Sequence, residues 1–407
     1  MAQLKTIIWY GNDLRVDDHL PLETALRHDD PVEGHYFIRA EELIENRFGV
    51  TPIGPRRLQF LYESLEDLSG SLNALGIPLY VHVGHPLDIL DHTDRLLFQR
   101  SLGYNERSRE QDVTAKWKGE WHAFDGFTLY PRAEIPFERM PFLFTEFRKA
   151  VEPDARPERP IDRKCEGEAR SIEFPVAYER PERDTRTAFP FRGGERAGRA
   201  RLAAYLNGPV RTYKETRNGF GVDDSSKLSA YLANGSLSPR RVLHELETHE
   251  RENGANESTY WLYFELLWRE FFQWVALEQG VRLFRAQGIR SKEKSWRVDA
   301  DVIERWQTGQ TGVLFVDAFM RELNATGWMS NRGRQIVASY FTKELGQDWR
   351  IGAAYFEANL IDYDVASNYG NWAYQAGVGN DSRDRRFNVS RQQEIYDPTG
   401  AFRNTWL

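Results

Sequence analysis

The chain of 407 residues has one cysteine, Cys165, which excludes a disulfide framework and a cysteine-ligated zinc or iron–sulfur centre within one chain. No metal site is expected. There is no apolar run of the roughly eighteen residues a membrane span requires, and Met1-Ala-Gln-Leu-Lys5 leads into a strand-like Thr6-Ile-Ile-Trp-Tyr10 without the apolar core of a signal peptide. A cytoplasmic location is the resulting expectation. The segment Gly11-Asn-Asp-Leu-Arg-Val-Asp-Asp18 after that strand carries neither G-x-G-x-x-G nor the lysine of a phosphate-binding P-loop, so an ordinary dinucleotide fingerprint is excluded. Positive charge is also short: 54 Lys and Arg stand against 61 Asp and Glu, and the net charge of −7 argues against indiscriminate coating of nucleic acid. Any DNA site must then be a local basic patch. Two candidates are Arg192, Arg196, Arg199 and Arg201, and Arg383, Arg385 and Arg386 with Arg391. Histidine is scarce, with none after His249.

What is present suffices for two cores, since 41% of residues are hydrophobic and 13% aromatic. Up to about residue 130, strand and helix signals alternate: Thr6–Tyr10, Leu20–Arg27, Val32–Ile38, Arg57–Leu75 and Leu79–Val83. This predicts an α/β domain with a parallel, Rossmann-like sheet over residues 1–130. From 131 to 194, prolines at 136, 141, 153, 157, 160, 175 and 181 among charged residues predict a connector between domains. Beyond it the period turns helical. Trp261, Glu265, Trp268, Phe272 and Val275 share one face of a helix that Gly280 can end, and further helices are expected at Arg199–Leu206, Pro239–His249, Val313–Leu323, Arg332–Leu345 and Ile351–Leu360. Residues 195–407 therefore read as an all-α domain.

Two stretches of that domain combine amides, guanidinia, carboxylates and tryptophans: Gly327-Trp-Met-Ser-Asn-Arg-Gly-Arg-Gln335 and Ile361-Asp-Tyr-Asp-Val-Ala-Ser-Asn-Tyr-Gly-Asn-Trp372. Buried polar groups need partners, and Asn331, Arg332, Arg334, Gln335, Asp362, Asp364 and Asn368 exceed what chance mutual pairing would satisfy. A flat, hydrogen-bonding cofactor would satisfy them. A third stretch, Asp223-Asp-Ser-Ser-Lys-Leu-Ser-Ala-Tyr-Leu232, sets hydroxyls, backbone N–H groups and one lysine at a helix start, which suits either a phosphate or an ordinary serine cap. Glu265 lies between Trp261 and Trp268 on its helix face, where desolvation should raise its pKa.

The two polar and aromatic stretches resemble the flavin-binding core of the photolyase/cryptochrome family, and most closely its DASH branch. The resemblance extends from Ile7 to about Leu407. It implies FAD as cofactor, with Ser225, Ser226, Lys227, Leu228 and Ser229 at the pyrophosphate and Tyr213 twelve residues upstream. It further implies that Arg334 and Asp362 pair beside the flavin, that Asp364 binds it and that Asn368 faces its N5. A neutral amide there adds no negative charge next to an anionic ring and so favours full reduction. Trp372, Trp349 and Trp296 match the family's electron-transfer chain between flavin and surface, a role their spacing does not reveal.

By the same resemblance Glu265 hydrogen-bonds damaged pyrimidines, Trp268 stacks on them, and Asn331, Arg332, Gln335 and Tyr374 complete the lesion pocket. Gln335 and Tyr374 are DASH-like choices, giving a more polar, less tightly stacking pocket that recovers less of the cost of flipping a lesion out of a duplex. Ser330 stands where (6-4) photolyases carry a histidine, so repair of (6-4) products is not expected. Tyr104-Asn-Glu-Arg107 resembles the antenna site, with Glu106 as ligand of a 5,10-methenyltetrahydrofolate pterin. Relatives usually continue beyond the position of Leu407, and no signalling tail is visible. The expectation is a monomeric, blue-light-dependent flavoprotein that repairs cyclobutane pyrimidine dimers, mainly in single-stranded DNA. The rivals are a signalling photoreceptor and a light-independent flavin oxidoreductase, the latter lacking a recognisable nicotinamide site.

Overall fold

The structure, a computed structural model, describes residues 4–291, 293–381, 383 and 386–407. Five parallel strands, β1 (Thr6–Tyr10), β2 (Val32–Ile38), β3 (Leu79–Val83), β4 (Arg95–Gln99) and β5 (Trp121–Phe124), form one sheet in the order β3-β2-β1-β4-β5. The central strand pairs Thr6 with Val32 on one side and with Arg95 on the other. Side chains alternate across a strand, so β1 feeds two layers. Ile8 and Tyr10 pack with Leu58, Leu65 and Leu72 of helix Pro55–Ala74, while Ile7 and Trp9 pack with Val113 and Trp117 at helix Tyr104–Lys116. The sheet is thus covered on both faces, as expected. Strands β4 and β5 and helix Tyr104–Lys116 carry too weak a periodicity to be read from the sequence.

The expected connector contains a 3₁₀ turn, Arg132–Glu134, one α-helix, Phe144–Asp154, and no regular element from 155 to 194. It lies along helix Pro55–Ala74: Phe174 stacks on Tyr62 at 3.6 Å, and Cys165 Sγ sits 3.0 Å from Ser71 Oγ. The remaining chain is helical. Its longest member, Glu257–Gln279, starts at an Asn256 capping box and ends at Gly280, whose φ of 51° is a conformation that favours glycine. Where one helix was expected to run to Leu345, an α-helix Asn331–Ser339 passes into a π-turn, Tyr340–Glu344, that brings Phe341 against Trp306 and Trp372.

The Gly11–Asp18 segment bridges the two cores. Asp17 binds Arg241 at 2.8 Å, Asp18 binds Arg240 at 2.9 Å, and Glu195 accepts from the backbone of Val16 and Asp17. Ion pairs also engage the first candidate DNA patch. Arg196 is held by Asp67 at 2.6 Å, Arg201 by Asp223 at 2.7 Å, Arg199 by Asp17 at 3.3 Å and Arg192 by Glu63 at 3.9 Å. Each guanidinium of that cluster meets a carboxylate distant in sequence, so the cluster braces the fold. In the second candidate, Arg386 pairs with Glu344, Arg391 is exposed, and Arg385 lies outside the described residues.

Candidate functional site

Two adjoining clefts, of about 1150 and 560 Å³ and partly open to solvent, run through the helical body and share Asn331, Arg334, Asp362, Asp364 and Ser367 as a common wall. The larger is lined by Tyr213, Ser225 to Ser229, Glu265 and Met329; the smaller by Gln335, Asn368, Trp372 and Gln375. The three polar stretches thus converge on two clefts with a shared wall.

The loop at one end is shaped by a buried arginine. Arg201 donates to the carbonyl oxygens of Val222, Ser225 and Ser226 at 3.3, 3.1 and 2.9 Å, which fixes the course of the loop. The helix that follows, Ser229–Ala233, is short, and no serine caps it. Lys227 is almost wholly buried: its Nζ donates to Ser225 Oγ at 3.0 Å and lies 5.2 Å from the Trp328 ring centre. Burial lowers its pKa to about 8, against the pull of Glu322. The lysine is therefore held within the loop by Ser225 and Trp328, in the lining of the larger cleft.

On the opposite wall Arg334 Nη2 and Ser229 Oγ both donate to Asp362 Oδ2, at 2.9 and 2.7 Å. Asp362 Oδ1 is buried with no hydrogen-bond partner among the described residues. An orphan acceptor on a cleft wall is costly and calls for a donor from a bound molecule. Asp364 caps helix Val365–Ala376 through Ser367 N at 2.7 Å and accepts from Gln273 at 2.9 Å. Asn368 Nδ2 donates to Ala353 O of helix Trp349–Asn359 at 3.0 Å, so Oδ1 is the atom left for the cleft.

At the mouth, Glu265 forms an ion pair with Arg217, which also lies over Trp261 at 4.4 Å. Desolvation raises the Glu265 pKa, as expected, and Arg217 opposes the rise. Arg217 was not anticipated, and no local signal marks it. Arg332 donates to Gln335 Oε1 at 2.8 Å and to Asn218 at 3.0 Å, leaving the Gln335 amide nitrogen for other partners. Trp268 and Tyr374 lie beside the clefts, not in their linings; they meet edge to face at 6.2 Å, and Phe144 covers one face of Trp268 at 3.7 Å. Of the three tryptophans, Trp372 lines the smaller cleft, whereas Trp349 is fully buried and Trp296 partly so.

A further cavity of about 1080 Å³ opens at the carboxyl ends of β1 and β4, the point where strand order reverses and ligands of such sheets bind. Trp9, Tyr36 and Phe37 line it with Glu106, whose Oε1 pairs with Arg39 at 3.2 Å. Glu106 Oε2 is buried with no partner among the described residues. Among the described residues no group of acidic, histidine or cysteine side chains could hold a metal ion, and no helix is long and apolar enough to cross a membrane.

A doubly covered parallel sheet beside a helical body that holds two adjoining clefts is the architecture of a photolyase-type flavoprotein. Residues 6–165 match the family model of DNA photolyase, and residues 261–407 match that of the FAD binding domain of DNA photolyase. The chain is 42% identical to cryptochrome DASH of Gloeobacter violaceus, over 100% of this chain and 86% of that protein. Its fold superposes on the Synechocystis cryptochrome with a TM-score of 0.93 at 39% identity, covering 100% of this chain and 89% of that one. The archaeal photolyase of Sulfolobus tokodaii, described with two FAD molecules and an implied novel light-harvesting cofactor, gives 0.78 at 26% identity, over 99% and 90% of the two chains. The chain belongs to the photolyase/cryptochrome family, within its cryptochrome DASH branch.

Proposed function

We propose that this protein uses blue light to split cyclobutane pyrimidine dimers, chiefly in single-stranded DNA. The observation that carries the reading is the placement of the Ser225–Ser229 loop, Glu265, Asn368 and Gln335 around two clefts that share Asn331 and Asp362 as a wall. FAD in its reduced form supplies the light-excited electron donor when bound. The Ser225–Ser229 loop and Tyr213 would hold its pyrophosphate end. Asp362 Oδ1 is a free acceptor for a ring N–H, Asp364 a second carboxylate on the same wall, and Asn368 Oδ1 suits a protonated N5. Arg334 keeps Asp362 oriented and balances its charge.

At the mouth, Glu265 and Asn331 would position the dimer, with the raised Glu265 pKa helping that carboxyl to share a proton with a pyrimidine carbonyl. Arg332 holds Gln335, so the lesion meets an amide donor in place of an apolar wall. Trp268 presents only its uncovered face or edge, since Phe144 lies on the other. A polar pocket with limited stacking returns little of the few kcal/mol needed to flip a paired base, which supports the single-strand preference. Trp372, Trp349 and Trp296 would pass electrons inward to restore the reduced cofactor.

The aromatic cavity at Glu106 suits a second chromophore with a hydrogen-bond donor edge, and a folate pterin is our reading for it. The substitution Glu265→Ala tests the lesion role: light-driven repair of a single-stranded thymine dimer should fall while FAD content stays at the wild-type level. Unchanged repair would remove Glu265 from the mechanism.

A further inference from the structure

Trp306 has no place in the scheme above, yet it is the tryptophan in ring contact with Trp372, their centroids 6.1 Å apart and edge to face. Among the described residues no ring contact joins Trp372 to Trp349. Trp306, on helix Ala300–Gln307, is fully buried, and its Nε1 has no hydrogen-bond partner among the described residues. A buried indole N–H without an acceptor is uncommon and costly. The far side of Trp306 meets Tyr355 of helix Trp349–Asn359, again edge to face, at 5.8 Å. Tyr355 is partly exposed. Its hydroxyl lies 2.7 Å from Asn324 Oδ1 and 3.1 Å from Gln307 O, while Asn324 Nδ2 donates to the same carbonyl at 2.8 Å.

We propose that Trp306 and Tyr355 form a second electron-transfer branch from Trp372 to the surface, separate from Trp349 and Trp296. The inference rests on the reading that Trp372 gives up an electron in light. The vacancy left on Trp372 is filled by one electron from Trp306, and that on Trp306 by one electron from Tyr355. Tyr355 loses its phenolic proton to water at the exposed rim, and an external thiol then returns one electron and one proton to the tyrosyl oxygen. The orphan N–H gives Trp306 its part in this sequence. With no acceptor in reach, an oxidised Trp306 keeps its proton and cannot settle as a neutral radical, so it relays the vacancy instead of trapping it. Tyr355 has acceptors and an exit to water, and so can trap it. The ordinary tyrosine pKa is raised to about 12 there by burial, so the proton leaves on oxidation and not before.

The test compares Trp296→Phe, Tyr355→Phe, the double variant and Trp372→Phe, each purified with FAD and illuminated with an added thiol. Photoreduction is followed by absorbance and transient radicals by electron paramagnetic resonance. Bound FAD and far-ultraviolet circular dichroism report folding, and Tyr355→Phe removes one oxygen without emptying the core. The branch predicts that Trp296→Phe keeps photoreduction and shows a tyrosyl signal, that adding Tyr355→Phe loses both, and that Trp372→Phe loses both branches. Loss of photoreduction in Trp296→Phe alone, or a tyrosyl signal that survives Tyr355→Phe, would overturn the branch and leave the role of Trp372 intact. Full photoreduction in Trp372→Phe would instead overturn the underlying reading of Trp372, and the branch with it.

Discussion

The indoles of Trp296 and Trp349 donate to one and the same acceptor, the carbonyl oxygen of Ala286, at 3.1 and 3.2 Å. Trp296 comes from a loop and Trp349 from the first residue of a helix, so the shared carbonyl fixes two rings that the backbone alone would leave independent. Lys294 adds a cation 4.7 Å from the Trp296 ring centre. A nearby positive charge disfavours a vacancy on that ring, so the outer end of this path is less favourable than its geometry alone implies.

Asp362 is the residue on which cofactor retention should depend most. Asp362→Asn removes the charge that Arg334 balances and replaces one acceptor by a donor opposite Arg334 or the cleft. Loss of a charge-assisted hydrogen bond costs about 1.5–3 kcal/mol, or roughly ten- to a hundredfold in affinity. Titration of apoprotein with FAD by flavin fluorescence should show that weakening. An unchanged dissociation constant would remove Asp362 from the site.

Glu322 is buried with Oε2 unpaired among the described residues, and desolvation raises its pKa to about 8 despite Lys227 and Arg334. The folded chain thus holds that proton up to about pH 8, whereas the unfolded chain releases it near the ordinary glutamate value. Unfolding releases a proton between those limits, so rising pH costs stability there. Lys227, with a lowered pKa, acts in the opposite sense only above about pH 8. Glu322→Gln lacks the titrating group, and its melting temperature relative to wild type should therefore climb between pH 6 and pH 8. A difference that does not change with pH would contradict the assignment.

Asn368 matters through its neutrality. An aspartate in its place would set an oxygen against Ala353 O in a buried position, adding repulsion and a charge beside the cofactor ring. Asn368→Asp should lower the yield of fully reduced flavin under illumination with thiol, read from the absorbance spectrum. A wild-type yield would show that this position does not set the redox end point.

Much of the architecture was visible in the chain because periodicity reports burial. The strands Thr6–Tyr10, Val32–Ile38 and Leu79–Val83 are found as read, and the aromatic face around Glu265 lies on a single long helix. Helix Tyr104–Lys116 was hidden because Val113 and Glu110 are its only buried residues, too few to mark a period. At the site, Arg334 and Asp362 were legible as a pair by resemblance. Partnerships made across the fold were not: Arg217 reaches Glu265 across 48 residues, and Arg201 holds a loop some two dozen residues on. The carboxylate partners of the arginine cluster at 192–201 were hidden for the same reason, since Asp17, Glu63 and Asp67 are distant in the chain.

The central claim is tested most directly by illuminating the reduced protein with two oligonucleotides, single-stranded and duplex, each carrying one cyclobutane thymine dimer, and following recovery of base absorbance against a dark control. Light-dependent recovery largely confined to the single strand is the result expected of adjoining clefts lined by Glu265 and by Gln335. No recovery in either oligonucleotide, with photoreduction of the bound flavin intact, would contradict the repair function.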